Sequence, residues 1–401
     1  MSAIVFLSSL LAIPTSYCLN NIFTVRQPLL ILFCGVFVLS VMIGIPYLYI
    51  RNRRNVTDRF FYVLGIFTFS SVIDLIIALE NDGIIDDFME FYLREGEPYL
   101  RTSHGTMICY WDGIAHYAMY LVMLTAQSWN QNYREVGLFW VGSIVHSMFI
   151  LLPGGVIGKY PIKWVIFLNV PYLVIPIWVG VNLLQDRPRV QVLNIDDNQS
   201  SKWAFLKKNP KAILFLIFFL GASLVAVLRA FAVLGGDHIF KYYLINMEPY
   251  LMDPSAFPKI QMLVYLFYFL PYYISMIIFL LSTQTSLISW VIDFSFIHAG
   301  AAAQAQFSHI GSSLHYRTPY SLRVPQRTSH WITFWGINLS LLMVPQLFMI
   351  YCQSKVVPIV EEEGPDIKRS MATMNSQESL DAIDRLVENA SRNRKIALQP
   401  K

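Results

Sequence analysis

Charged residues are scarce in this 401-residue chain: Asp, Glu, Lys and Arg make up only 14% of it, whereas hydrophobic residues make up 55%. A soluble globular protein has about 25% charged residues, because polar groups must cover its surface. The composition therefore excludes a soluble globular protein and indicates a chain that lies mostly in a bilayer.

Cysteine is also rare, with four residues in the chain: Cys18, Cys34, Cys109 and Cys352. They lie in or beside apolar stretches and have no paired spacing. This pattern argues against a disulfide framework and against a metal site. We expect no metal, no cofactor and no nucleic-acid partner.

Long apolar stretches are what the chain does contain. A hydrocarbon core about 30 Å thick is crossed by roughly 20 helical residues, and only helices or closed barrels satisfy their backbone groups there. The sequence therefore predicts an all-α polytopic membrane protein with about ten transmembrane helices, at about 3–19, 28–50, 60–79, 105–126, 136–155, 161–183, 212–234, 259–282, 287–307 and 331–352. The first stretch has no A-x-A cleavage pattern after it, which favours a membrane helix over a signal peptide. Lys and Arg are more numerous on the side that holds both termini, so both termini are expected in the cytosol.

The four letters E-P-Y-L occur twice, at Glu97 and at Glu248, each time before an aromatic-rich apolar stretch. The stretches upstream are similar too, "VIDLIIALEND" before the first and "VLRAFAVLGGD" before the second. These copies predict a repeated four-helix unit, as some transporters also show. The predicted organisation is two leader helices (1–54), a first four-helix bundle (55–186), a basic cytosolic linker (187–211), a second bundle (212–352) and a charged, largely disordered cytosolic tail (353–401).

Three stretches carry a specific resemblance: "REGEPYLRTSHGTMICYWDG", "EPYLMDPSAFPKIQML" and "AAAQAQFSHIGSSLH". They resemble the transmembrane 6 superfamily, whose members have two EXPERA domains, and "MICYWDG" resembles member 1 more than member 2. The resemblance implies a role in lipid handling. It associates member 2 with triglyceride secretion and lipoprotein lipidation from the endoplasmic reticulum and intermediate compartment, and member 1 with lysosomal membranes. Possible partners are therefore a membrane lipid or sterol and proteins of lipoprotein assembly or lipid metabolism.

EXPERA domains also form the sterol isomerase called emopamil-binding protein and the sigma-2 receptor. The resemblance to that isomerase implies an active site with a His and a Glu one turn apart before the luminal loop, and another Glu after it. In this chain the His position falls at Asp74 or Arg229, and the later Glu position falls at Asp112 or Tyr265. The isomerase set is therefore not retained.

Asp112, with Trp111 beside it and His116 one turn along, is the remaining candidate for altered acid–base chemistry. These three residues cap a luminal helix end or line a cavity. Asp74 and Arg229 are charges inside predicted helices, and such charges avoid lipid. They either form an ion pair that ties the two bundles together or face a ligand.

Further polar candidates lie in the second half of the chain. His298 and Gln304, with His309, lie on the ninth predicted helix and either hydrogen-bond between helices or line a second cavity. Glu97 and Tyr99, with their counterparts Glu248 and Tyr250, form a luminal lid or place a carboxylate at each cavity mouth.

Three functions compete. The first is a non-enzymatic protein that binds sterol or a related lipid and regulates endomembrane lipid traffic. The second is an isomerase-like enzyme that shifts a sterol double bond through an acid and a base. The third is a lipid transporter or scramblase built on the repeat.

Overall fold

The computed structural model describes residues 2–21, 28–50, 60–187, 190–192, 210–235, 238–282 and 288–358. The helices in these residues are α1 (Ser2–Ser9), α2 (Ala12–Asn21), α3 (Pro28–Ile50), α4 (Phe60–Asn81), α5 (Ser103–Trp111), α6 (Tyr117–Ser128), α7 (Arg134–Ile157), α8 (Val170–Gln185), α9 (Pro210–Val233), α10 (His238–Asn246), α11 (Phe257–Val264), α12 (Leu270–Leu281), α13 (Ile288–Leu314) and α14 (Thr328–Gln353). Short 3₁₀ segments lie at Pro98–Arg101, Trp164–Asn169, Pro249–Met252 and Tyr320–Leu322, and π-helical segments at Tyr92–Gly96, Asp112–His116 and Tyr265–Phe269. Strands β1 (Val190–Val192) and β2 (Val356–Pro358) form a two-stranded sheet.

Seven helical stretches among the described residues are long and apolar enough to cross a membrane: Ala3–Asn21, Phe60–Asn81, Arg134–Ile157, Trp164–Gln185, Pro210–Val233, Phe257–Leu281 and Thr328–Gln353. A shorter apolar stretch runs over Leu29–Met42. The prediction of an all-α polytopic membrane protein is therefore confirmed. Each of the ten predicted stretches contains a helix, but ten membrane crossings stay a prediction because the stretches at 28–50, 105–126 and 287–307 are not among these seven.

Most of the fold belongs to one compact unit, Met1–Arg187 and Val192–Val356. The second unit, Pro188–Gln191 and Val357–Lys401, is described only at the two short strands. Within the first unit one apolar cluster surrounds Trp140 and Phe67, and another surrounds Phe219 and Tyr273. The predicted domain boundaries stay a prediction, and most of the predicted linker and tail lies outside the described residues.

The two E-P-Y-L copies have the same local structure. Glu97 and Glu248 have φ of −127° and −140° with ψ of 70° in both, and a 3₁₀ turn begins at the proline that follows each of them. This backbone lies outside the helical region, as expected before proline. In both copies the next helix is interrupted by a π-helical segment, which begins at Asp112 in the first copy and at Tyr265 in the second.

Two glycines bring α7 and α13 into backbone contact. A Cβ atom at Gly142 would lie 1.7 Å from the carbonyl oxygen of Ile297, and one at Gly300 would lie 1.9 Å from that of Phe139. Small residues permit such close crossings of membrane helices. The crossing joins a helix of the first predicted bundle to a helix of the second.

Candidate functional site

Glu97 is a buried carboxylate with neutral partners. It is 3% exposed and accepts hydrogen bonds from Tyr92 Oη (2.8 Å), Tyr99 Oη (2.5 Å) and Asn169 Nδ2. No cationic side chain in the described part of the chain forms an ion pair with it. Burial raises the pKa of Glu97, against the opposing effect of the three donated hydrogen bonds.

Glu97 faces a cavity whose walls come from helices α2 to α8 and from the segments at 88–100, 112–116 and 164–169. The volume of this cavity is about 180 Å³. Most of its wall is apolar, but three carboxylates, Asp74, Glu97 and Asp112, lie in it. None of the described lining residues is Lys or Arg. The cavity therefore suits an amphiphile whose polar end donates hydrogen bonds or carries positive charge.

Gly113 explains how Asp74 and Asp112 come to line one cavity. A Cβ atom at Gly113 would lie 2.6 Å from Leu75 Cβ and 2.8 Å from its Cα and N. Only a glycine permits this contact between the 112–116 segment and α4 without a shift of backbone. The two aspartates are the sequence neighbours of the touching residues, so the contact holds them at the same level of the cavity wall.

Asp112 also belongs to a chain of polar side chains. His116 Nδ1 lies 2.6 Å from Asp112 Oδ1, and His116 Nε2 lies 2.7 Å from Ser143 Oγ. Trp111 Nε1 donates to Ser143 Oγ at 2.8 Å. Trp111, Asp112 and His116 are thus close together, and Ser143 is a fourth member that the sequence did not indicate. Asp112 and His116 line the cavity and form a carboxylate–imidazole pair, which can accept and return a proton.

In the second copy, Arg229 occupies the sequence position equivalent to Asp74. This side chain is fully buried and forms an ion pair with Glu248. Arg229 Nη2 also donates to Asn338 Oδ1 at 2.8 Å, and Asn338 Nδ2 donates to Glu248 Oε1 at 3.1 Å. Of the two alternatives for Asp74 and Arg229, the ion pair between them is therefore wrong: Arg229 pairs with the glutamate of its own E-P-Y-L copy, and Asp74 lines the cavity.

The pKa values of the two glutamates, Glu97 and Glu248, are shifted in opposite directions. Burial on its own would raise the pKa of Glu248, but the charge of Arg229 and the proximity of His309 lower it to about 2. Glu97 has no such neighbour, and its pKa is raised.

The remaining candidates from the sequence, Tyr265, His298 and Gln304, do not line the cavity. Tyr265 is 5.7 Å from the Arg229 guanidinium and accepts a hydrogen bond from Gln306. His298 stacks on Tyr272 with ring centroids 3.9 Å apart, and Gln304 Oε1 lies 2.6 Å from His146 Nδ1.

The tyrosines of the predicted lid, Tyr99 and Tyr250, are buried. Tyr99 donates a hydrogen bond to Glu97, whereas Tyr250 lies against His309 with ring centroids 5.6 Å apart. The lid role of the four E-P-Y-L residues stays a prediction, and their burial favours a carboxylate at the cavity mouth for the first copy.

Sequence reasoning missed the contribution of the leader helices. Ser16 and Asn20 of α2 and Gly35 of α3 line the cavity, so the site needs more than one four-helix unit. It also missed Asn169, whose polar side chain within an apolar stretch was the available signal.

The opposite pKa shifts predict opposite pH dependence for Glu97→Gln and Glu248→Gln. Raising the folded-state pKa of Glu97 above its ordinary 4.5 means that its stabilising contribution is complete at low pH and is lost as pH rises through the folded-state pKa. The folded-state pKa of Glu248 is lowered, so the stabilisation that its carboxylate contributes is present at neutral pH and is lost as pH falls towards 2. At pH 7 we therefore expect Glu97→Gln to leave the melting temperature unchanged or raise it, and Glu248→Gln to lower it.

Thermal melts of the two variants in detergent between pH 4 and pH 8 measure this contrast. The two variants are controls for each other, since they make the same chemical change at equivalent backbone positions. Equal melting shifts for both variants across the pH range would contradict the opposite pKa shifts of Glu97 and Glu248.

Comparison with known proteins gives one consistent result. A family model described as "Transmembrane 6 superfamily member 2-like, transmembrane domain" matches residues 11–194. Transmembrane 6 superfamily member 2 of Rattus norvegicus is 39% identical over 351 residues, which cover 86% of this chain and 90% of the relative. The proteins of the same name from Mus musculus and Homo sapiens are 40% and 38% identical over 348 residues, with the same coverage. No solved structure matches.

Proposed function

The chain belongs to the transmembrane 6 superfamily, and we propose on this premise that it binds a sterol or related lipid in the cavity of its first repeat and thereby regulates endomembrane lipid traffic. The observation that carries the proposal is the apolar cavity with three carboxylates, Asp74, Glu97 and Asp112, and no lining Lys or Arg. The three relatives bear the name member 2, and closeness to member 1 stays a prediction.

The side chains that line the cavity, mostly apolar with three carboxylates, favour an amphiphilic ligand. Binding pockets are mostly apolar, with a few polar groups that fix orientation. One water needs about 10 to 15 Å³ of such space, so the cavity holds on the order of ten waters or the polar end of a lipid. A sterol hydroxyl donates to Asp112 or Glu97, and an amine additionally neutralises them.

The second repeat supports the same assignment by contrast. There the guanidinium of Arg229 satisfies Glu248 from within the chain, as a ligand cation would. The first repeat has Asp74 at the equivalent place, and no Lys or Arg among the described lining residues neutralises its carboxylates. The proposal therefore has one lipid site, in the first repeat, and gives the second repeat a structural role.

A second candidate function is sterol double-bond isomerisation. The observation in its favour is the 2.6 Å pair of Asp112 and His116 at the cavity wall, because isomerisation requires one group to deliver a proton and another to remove one. Against it, the His and Glu positions of the related isomerase are occupied by Asp74 and Ala78. We favour binding without catalysis.

The location and partners follow from the proposed function. We place the protein in the endoplasmic reticulum, intermediate compartment or lysosomal membrane, with both termini cytosolic. Its proposed partners are lipids and proteins of lipid metabolism or lipoprotein assembly.

Asp112→Asn tests the proposal directly. We expect this variant to retain less of the lipid that co-purifies with the wild-type protein, as measured by mass spectrometry of extracted lipid per mole of protein, because it loses one negative charge at the polar end of the cavity. Asp186→Asn is the matched control, since Asp186 is exposed and does not line the cavity. Equal lipid retention by both variants would contradict the site.

The same proteins distinguish binding from catalysis. Incubation with an 8-ene sterol in deuterated water introduces solvent deuterium if a carbocation forms. We expect no incorporation above a protein-free control. Incorporation that falls by about 10² to 10⁴ in Asp112→Asn, the usual effect of removing a proton-transfer group, would favour the isomerase instead.

A further inference from the structure

The chain that follows helix α4 forms one wall of the cavity. We call this stretch, residues 82–91, the strap. Phe88 and Met89 of the strap line the cavity, whereas Asp86 and Asp87 are exposed on its outside. Because neighbouring residues face the cavity and the outside, the strap is a wall only one chain thick.

Polar side chains attach the strap to the rest of the fold. On one side Glu80 Oε2 accepts hydrogen bonds from the backbone N–H groups of Phe88 at 3.0 Å and of Met89 at 2.6 Å. Across residues 85–88 the structure describes no hydrogen bond from backbone to backbone that joins the strap to another element. Segments that are held by few, partly exposed hydrogen bonds are the ones that open locally at a low cost in free energy.

The end of helix α2 holds the strap from the other side. Asn20 Nδ2 and Asn21 Nδ2 both donate to the carbonyl oxygen of Asp87, at 2.9 and 2.7 Å. Asn20 Oδ1 also accepts a hydrogen bond from the backbone N–H of Phe91 at 3.0 Å. Two adjacent asparagines thus supply three hydrogen bonds to the strap.

The backbone of the strap turns at two residues with left-handed conformations. Gly83 has φ of 68° and Asp87 has φ of 69°. Glycine adopts this region freely, but a residue with a Cβ atom adopts it less often and at a cost. The turn at Gly83 is therefore a natural hinge, while the strained turn at Asp87 is the point that both asparagines hold. Strain of this kind persists only where the surroundings maintain it.

We propose that the strap is a movable cover of the cavity, held closed by Glu80 on one side and by Asn20 and Asn21 on the other, and that lipid enters and leaves when these hydrogen bonds open. The inference rests on the proposed lipid-binding function for the ligand, but not for the movement. Tyr92 follows the strap directly, lines the cavity and donates to Glu97 Oε2 at 2.8 Å. Opening of the strap therefore also changes the hydrogen bonding of a cavity carboxylate.

The native thiol of Cys109 reports whether the cavity is open. Cys109 is 2% exposed and lines the cavity, so it should react slowly with N-ethylmaleimide while the strap is closed. Changing the other three cysteines to alanine leaves this thiol alone. In that parent protein, Asn20→Ala combined with Asn21→Ala should speed the labelling of Cys109 about tenfold. A factor of ten corresponds to about 1.4 kcal/mol, roughly the net contribution of one hydrogen bond.

A second single-cysteine protein, which keeps only Cys352, supplies the control thiol. Cys352 is also buried but does not line the cavity, so its labelling rate should not change. Faster labelling of both thiols would show that the fold as a whole has loosened, and would overturn the proposal. Asn246→Ala is the control variant, since Asn246 Nδ2 also donates to a backbone carbonyl oxygen, that of Tyr242 at 3.0 Å, and Asn246 does not line the cavity.

Glu80→Ala removes the two hydrogen bonds on the opposite side of the strap and is the second variant if the asparagine variant fails to fold. It should likewise speed the labelling of Cys109. Folded variants in which Cys109 reacts no faster than in the parent protein would overturn the proposal. The labelling needs no bound lipid, so a protein that opens on these substitutions but retains no lipid would contradict the lipid-binding proposal alone.

Discussion

Replacing Arg229 with alanine should destabilise the protein by about 3 to 5 kcal/mol, the usual effect of removing one partner from a buried ion pair. Arg229 is fully buried and forms an ion pair with Glu248, which is 1% exposed. The substitution leaves the Glu248 carboxylate buried with Asn338 as a hydrogen-bond donor at 3.1 Å. The free energy of unfolding in detergent, or the melting temperature where unfolding is irreversible, measures the loss.

The double variant Arg229→Met with Glu248→Met separates a stranded charge from lost packing. We expect it to recover much of the loss, because replacing both partners of a buried ion pair by apolar groups is often neutral. Asp74→Ala is the control at the equivalent position of the first repeat. It should cost little, since Asp74 faces a cavity and forms no ion pair with Arg229. Losses at Arg229 and Glu248 that simply add would contradict their pairing.

Gly300→Ala should destabilise the protein by about 3 kcal/mol or more, at or beyond the upper end of ordinary overpacking. The new methyl group would lie 1.9 Å from the carbonyl oxygen of Phe139, which is backbone and has no other rotamer. Gly142→Ala should have a comparable effect, because its methyl group would lie 1.7 Å from the carbonyl oxygen of Ile297. Either change forces α7 and α13 apart, and thermal melts measure the result.

Gly221→Ala and Gly336→Ala are the matched controls. Both glycines are helical, and an added Cβ would meet nothing within 4 Å among the described residues. Alanine is the better helix former by about 1 kcal/mol, so these variants should be neutral or slightly stabilised. A similar loss in all four variants would show that helix propensity or solubility, and not the crossing, determines the effect.

The helices could be predicted from the sequence because the bilayer imposes a length and an apolar composition on each one locally. The E-P-Y-L copies could be matched for a similar reason, since proline restricts the residue before it and Glu97 and Glu248 indeed share one backbone conformation. The close grouping of Trp111, Asp112 and His116 also follows from local helical spacing.

The partners of the buried charges could not be predicted in this way. Asp74 and Arg229 have opposite charges at equivalent sequence positions, which favours a pair between repeats when only the sequence is considered. Their actual surroundings depend on how each bundle packs: Arg229 reaches back to Glu248, and Asp74 is held in the cavity wall by the Gly113–Leu75 contact. The walls contributed by α2 and α3 likewise depend on tertiary packing, because neither helix carries a motif that indicates a binding site.

The two buried glutamates have different surroundings, since Glu248 pairs with Arg229 and Glu97 lines the cavity. We therefore expect substitutions near them to have two kinds of effect. Substitutions at Arg229 or Glu248 act on the folding equilibrium, and a loss of one or two kcal/mol is enough to lower cellular abundance several-fold through quality control. Under the proposed lipid-binding function, substitutions at Glu97 or Asp112 are expected to leave the protein abundant but to lower the amount of lipid that it retains. Comparing protein level with bound lipid, variant by variant, should therefore distinguish the two sites: scarce protein for variants of Arg229 and Glu248, and abundant protein with less bound lipid for variants of Glu97 and Asp112.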